Sequence, residues 1–157
     1  MKTFNDYYNN KVNLSFEDHP FDSSPKHVWV ICRYKGKWLL TKHLSRGLEF
    51  PGGKVEKNET ADDAALREVN EETGAKVDQL YYIGQYCVES RYQSIVKNIY
   101  FATIKELTEQ TSYFETAGPV LLEEIPTNIK HNETFSFIMK DDVLTYSLAY
   151  IKERLSS

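Results

Sequence analysis

A pair of glycines running into a capped acidic helix governs the reading of this chain. The stretch Pro51-Gly52-Gly53-Lys54-Val55-Glu56-Lys57-Asn58-Glu59 leads to Thr60, and Thr60 with Asp63 forms a capping-box pattern that starts a helix. Gly74 supplies the stop, so the spacing predicts a helix over Ala61–Thr73. At about 100° per residue, Glu68, Glu71 and Glu72 fall within about 100° of one another and crowd one edge. Ala65, Leu66 and Val69 fill a neighbouring sector, which can pack on a sheet while the acidic edge stays at a cleft.

Like charges at these spacings repel, and a helix gains nothing by gathering them unless a cation is bound or water solvates them fully. Mg²⁺ takes a few hard oxygen ligands, usually carboxylates together with substrate phosphates, which is what an acidic edge beside a glycine loop can offer. Gly52 and Gly53 permit backbone conformations and close approach that other residues forbid, so a backbone carbonyl can join the ligand set.

From Gly53 onward the pattern is Gly, five residues, Glu59, seven residues, Arg67-Glu68-Val69, one residue, Glu71-Glu72, one residue, Gly74 and Ala75. This resembles the complete Nudix box, residues 53–75; its seven fixed Gly, Glu and Arg positions would coincide by chance in roughly one such sequence per million, so the motif is specific. The one departure is Ala75, where the family prefers a larger aliphatic residue, and it concerns packing rather than chemistry. Leu48-Glu49-Phe50-Pro51-Gly52-Gly53-Lys54 is similar to the MutT-like members of that family.

The resemblance implies an α+β fold, a mixed β-sheet sandwiched between α-helices (an α/β/α sandwich), over a single domain of residues 1–157. It implies metal ligation by the Gly52 carbonyl, Glu68, Glu71 and Glu72, with Mg²⁺, or Mn²⁺ as another hard cation. Glu68 or a downstream glutamate would orient or deprotonate the attacking water, and Arg67 would hold a box carboxylate in position, while Glu59 takes a structural or outer role. Among Glu106, Glu109, Glu115, Glu123 and Glu124, the further glutamate that approaches the metals in MutT-like enzymes is placed at Glu115, in Glu115-Thr-Ala-Gly-Pro-Val. Lys42 and Lys54 are candidate phosphate contacts. Phe50 is a candidate to stack beneath a base, and Asn132, or Asn128, to read it.

The remaining elements follow from local pattern. His27–Tyr34 is β-branched and aromatic, and Lys35-Gly36-Lys37 turns into Trp38–Lys42, which makes a hairpin. Extended runs are expected near Leu80–Glu89 and Ile95–Ile104, and another at Pro119–Glu123. A second helix is expected from about Thr134 or Asp141 to Arg154, where Val143, Leu144, Leu148, Ile151 and Leu155 recur at roughly helical spacing. No repeat or linker divides the chain.

With 157 residues, 41% of them apolar, the chain can bury a full core. No stretch is apolar enough for a signal peptide or a membrane span, which points to a cytoplasmic protein. Cys32 and Cys87 lack any ligand spacing and are expected to be buried thiols, and none of the four histidines has metal-site spacing. The net charge of −4 disfavours clamping of duplex DNA. The function that the resemblance implies is hydrolysis of a (deoxy)nucleoside triphosphate, 8-oxo-dGTP included, to monophosphate and pyrophosphate. A triphosphorylated RNA 5′ end is a second substrate class for the same box, and ADP-ribose ranks below both. A catalytically silent nucleotide- or protein-binding module should have lost box carboxylates, and here all are present.

Overall fold

The computed structural model describes residues 1–155. In chain order the elements are β1 (Lys2–Asn5), β2 (Lys11–Ser15), β3 (His27–Tyr34), β4 (Lys37–His43), β5 (Gly47–Glu49), β6 (Gly52–Lys54), α1 (Ala61–Thr73), β7 (Ala75–Glu89), β8 (Ser94–Leu107), β9 (Thr116–Leu122) and α2 (Asp142–Arg154). Short 3-10 turns at Ile129–His131 and Phe137–Met139 precede α2.

The strands join in one mixed sheet of order β1-β2-β7-β8-β3-β4-β5, with β6 paired to β3 and β9 to β4. β3 and β8 run parallel, His27 opposite Lys97 through Arg33 opposite Thr103, and the other pairings are antiparallel. Alternation along β3 sends Trp29 and Ile31 to one face and Val28, Val30 and Cys32 to the other. α2 covers the first face through Val143, Leu144 and Ile151, and α1 covers the second through Ala64, Ala65 and Val69. The α/β/α sandwich is therefore present, with a core on each side of the sheet. No helix among the described residues is long and apolar enough to cross a membrane.

Helix α1 has the bounds its caps dictate. The Thr60 side chain accepts from Asp63 N at 3.1 Å while Asp63 accepts from Thr60 N, and Gly74 closes the helix at φ 77° with its N–H on Asn70 O. Thr60→Ala is expected to cost about 1 kcal/mol, read as a lower urea midpoint at unchanged m-value. The β3–β4 hairpin also follows its sequence: Tyr34 pairs with Lys37, leaving Lys35 (φ 49°) and Gly36 (φ 77°) in the left-handed region that a two-residue turn needs.

Several expectations need correction. α2 starts at Asp142, capped by Asp141, and not at Thr134. Thr134 and Ser136 instead hydrogen-bond to both sides of Leu48, through Leu48 N to Thr134 O and Ser136 N to Leu48 O, so their backbone serves the sheet. β7 and β8 extend beyond the apolar runs. The polar Ala75–Tyr82 portion of β7 pairs only with β8, and with one neighbour the strand tolerates Lys76, Asp78 and Gln79 at the surface. Gly52 and Gly53 form a short strand with negative φ, not a loop of unusual backbone. Leu66 is 43% exposed and takes no part in the packing of α1. Cys32 is buried, whereas Cys87 is only partly so; both are free. β1 and β2 went unread, although Lys11-Val-Asn-Leu-Ser alternates and buries Val12 and Leu14 completely.

Candidate active site

The last two turns of α1 are fixed from three sides. Thr41 Oγ1 on β4 and Thr116 Oγ1 on β9 donate to the Glu72 carbonyl at 3.0 and 3.2 Å. From β6, Gly52 N donates to Glu72 Oε1 at 3.4 Å. The glycine pair allows close approach: a Cβ on Gly53 would lie 2.2 Å from Glu68 Oε2, and one on Gly52 would lie 2.5 Å from the Val28 carbonyl. At Gly52 the backbone of β3 leaves no room for a side chain, whereas at Gly53 only the flexible tip of Glu68 stands in the way.

This packing changes the character of the carboxylates. Glu72 is 8% exposed, so it is not on a solvent-facing edge, and its Oε2 accepts no N–H among the described residues. Burial, then Glu68 beside it, pushes Glu72 up to about 9. Burial also raises Glu68. Arg67 binds the rest of the cluster: its Nε and Nη2 donate to the two oxygens of Glu59 at 2.7 and 3.0 Å, Nη1 reaches Glu68 and Glu71, and Nη2 also donates to the Lys54 carbonyl. The Arg67 guanidinium holds Glu59 down at about 2.

Arg67, Glu68, Glu71 and Glu72 line a cleft of about 730 Å³ together with His27, Gly52, Gly53, Lys54, Glu56, Phe114 and Glu115. The structure thus brings together Gly52, Lys54, Arg67, Glu68, Glu71, Glu72 and Glu115. It does not bring in Lys42 or Asn132. Lys42 is exposed on β4, and Asn132 Oδ1 accepts from Thr134 N at 3.0 Å in a local turn. Phe50 is 1% exposed and packs edge-on against Trp29 and Trp38 at 5.9 and 6.0 Å, so it belongs to the core and offers no free ring face to a base. Sequence reasoning gave no role to Glu56, His27 or Phe114. Glu56 lies inside the box and 3.5 Å from Arg67, so position alone could have marked it; Phe114 stands out by its 65% exposure and its φ of 62°, neither of which the sequence shows.

No three His, Cys, Asp or Glu side chains among the described residues form a ready-made metal cage. A hard divalent cation does not need one, since it keeps waters and borrows substrate oxygens. The buried Glu72 oxygen that accepts no N–H among the described residues, with Glu68 against it, is a donor set that a cation relieves and that nothing else in the cleft neutralises fully. The residues fit such an ion.

The family description "NUDIX domain" matches residues 22–140. The chain is 63% identical over 153 residues to YtkD of Bacillus subtilis (strain 168), whose name proposes an 8-oxo-dGTP diphosphatase, covering 98% of this chain and 97% of that one. The structure superposes on the Bacillus subtilis pyrophosphohydrolase BsRppH with TM-score 0.97 at 62% identity, covering 98% of this chain and 97% of the other. A NUDIX hydrolase from Nitrosomonas europaea, 16% identical, shares the fold at TM-score 0.65 over 82% of this chain and 89% of its own.

Proposed function

We propose, from the premise that this chain belongs to the Nudix family, that it hydrolyses (deoxy)nucleoside triphosphates, 8-oxo-dGTP among them, to monophosphate and pyrophosphate with Mg²⁺. The chain is a Nudix hydrolase, and its near-full-length relatives carry the names 8-oxo-dGTP diphosphatase and pyrophosphohydrolase. The observation that carries the reading is the buried Glu72 and half-buried Glu68 held against Gly52 and Gly53 in the wall of the cleft. We read residues 1–157 as one domain in a cytoplasmic protein.

Glu68, Glu71, Glu72, the Gly52 carbonyl and Glu115 would hold the metal. When bound, a divalent cation lowers the pKa of water and neutralises the charge that develops on phosphoryl oxygens. Glu68 or Glu115 orients the attacking water and takes its proton. Arg67 keeps Glu68 and Glu71 in place while Glu59 anchors its other edge. Lys54, exposed at the mouth, meets the phosphate chain.

A second reading retains this chemistry and changes the substrate to the triphosphorylated 5′ end of RNA. It is favoured by Tyr7 and Tyr8, 52% and 62% exposed, which with Arg46 and Lys140 edge a hollow of about 320 Å³. Aromatic rings beside cations stack single-stranded bases without regard to sequence.

The test is a comparison of kcat/KM with Mg²⁺ for 8-oxo-dGTP, dGTP, GTP, ADP-ribose and a 5′-triphosphorylated RNA, with the released phosphate identified. Pyrophosphate release from the mononucleotides, fastest for 8-oxo-dGTP, is expected. Faster reaction of the RNA end shifts the assignment to the second reading, and exclusive cleavage of ADP-ribose overturns both.

A further inference from the structure

The loop that carries Glu115 into the cleft is tied to α1 at both ends. Gln110 Nε2 donates to the Asn70 carbonyl at 2.6 Å, and Gln110 N donates to the Tyr113 hydroxyl at 2.9 Å. At the other end Thr116 Oγ1 donates to the Glu72 carbonyl, the contact that also fixes the helix. Between these ties Thr116 N donates to the Tyr113 carbonyl at 3.3 Å, which closes a tight turn with Phe114 and Glu115 at its corners.

Phe114 is the wrong residue for that corner. Its φ is 62° while that of Glu115 is not positive, the pattern of a turn whose first corner favours glycine. A bulky side chain in the left-handed region is strained. Nothing in the fold offsets that strain: the ring is 65% exposed, belongs to neither core and pairs with no other aromatic ring among the described residues. Lone exposed aromatics are ordinary on a protein surface, but this one stands in the wall of the cleft beside Glu115, at a backbone position anchored from both sides. Strain that the surrounding structure imposes at a ligand cleft points to a role for the residue that bears it.

We propose that Phe114 is a stacking platform for the substrate's nucleoside, a ring face that holds any base rather than reading one. The proposal rests on the reading that the phosphate chain lies against the box carboxylates. A phenyl ring has no polar atom to offer a phosphate or a metal, so the part of the substrate that covers it is the base. Every base has a π-face, and stacking on an aromatic side chain is therefore tolerant of sequence. The same turn that brings the Glu115 carboxylate to the cleft sets this ring beside it, so one strained corner serves both ends of the nucleotide.

The test compares Phe114→Gly and Phe114→Trp with the wild type by urea denaturation and by equilibrium binding, with Mg²⁺, of GMP, AMP, ribose 5-phosphate and pyrophosphate. Phe114→Gly is expected to leave the urea midpoint at or above that of the wild type, since glycine takes the turn without strain. It should weaken GMP and AMP alike by about tenfold and leave ribose 5-phosphate and pyrophosphate as they were. Phe114→Trp, which keeps a ring face, retains the binding of both nucleotides. A lowered midpoint in Phe114→Gly makes the ring a packing residue, equal weakening of all four ligands makes it a support for Glu115, and a loss confined to one base makes it a reader; each overturns the proposal. Turnover separates this from the parent reading. Phe114-dependent binding of GMP and AMP without hydrolysis of GTP or ATP keeps the platform and discards the triphosphatase; hydrolysis with nucleotide binding indifferent to Phe114 does the reverse.

Discussion

Glu72→Gln is expected to lower kcat/KM by about a thousandfold and, in the metal-free protein at pH 8, to raise the melting temperature. The two effects share one cause. Glu72 is buried with an oxygen that accepts no N–H among the described residues, and its folded pKa of about 9 stands well above the ordinary carboxylate value. For a group raised on folding, the stability is fully present below the unfolded pKa, near 4.5, and is lost as pH rises towards 9. At pH 8 most of that loss has been incurred, on the order of a few kcal/mol. Glutamine keeps the shape and never ionises, so it escapes the penalty, but it removes a ligand charge from the metal. Thermal melts at pH 5 and pH 8 check this. The variant should gain on wild type at pH 8 and not at pH 5, and added Mg²⁺ should favour the wild type by mass action. Full activity in the variant would remove Glu72 from the metal set, and equal melts at both pH values would remove the burial argument.

Arg67→Ala should act in the opposite sense on stability and in the same sense on activity. The guanidinium gathers Glu59, Glu68 and Glu71 and reaches the Lys54 carbonyl, with only 22% of its side chain exposed. Removing it leaves carboxylates facing one another without a counter-charge. Because the cluster is not fully buried, the expected cost is about 2–3 kcal/mol, below the range for a sealed ion pair. Catalysis should fall about a hundredfold as Glu68 and Glu71 lose their orientation. Arg67→Lys recovers little, since an ammonium cannot donate as a fork to Glu59 and still reach the other two. The pH profile identifies the cause. Glu59 is held at about 2, below its ordinary value, so its contribution is present above pH 4.5 and is lost as pH falls towards 2. Arg67→Ala should therefore lose most relative to wild type near neutral pH and converge with it in acid. A uniform offset across that range would argue for lost packing instead.

How far the sequence could be read depended on whether a signal was local. The box helix was legible to the residue because both ends are set by short-range rules, Thr60 with Asp63 at one and the left-handed Gly74 at the other. The β3–β4 hairpin was legible for the same reason. Where a segment's structure is imposed by a distant strand, local pattern failed: the polar start of β7 is a strand because β8 lies beside it, and Thr134 is drawn out of the helix by Leu48. Site residues divide in the same way. Helical spacing alone puts the carboxylates on one edge, which lines the cleft, but the burial of Glu72 comes from β4, β6 and β9 closing around α1.

What the sequence by itself determined is the chemistry on offer: an acidic helix edge, an arginine spaced to hold it and glycines that let a strand approach it. The tertiary structure alone decided which carboxylate is desolvated, and that Phe50 is core rather than platform. It also decided that Phe114 stands in the wall of the cleft at a strained turn. The division has a physical reason. Helical spacing and caps are fixed by bonds within a few residues, whereas desolvation and convergence depend on strand register, which is set by contacts between segments far apart in the chain.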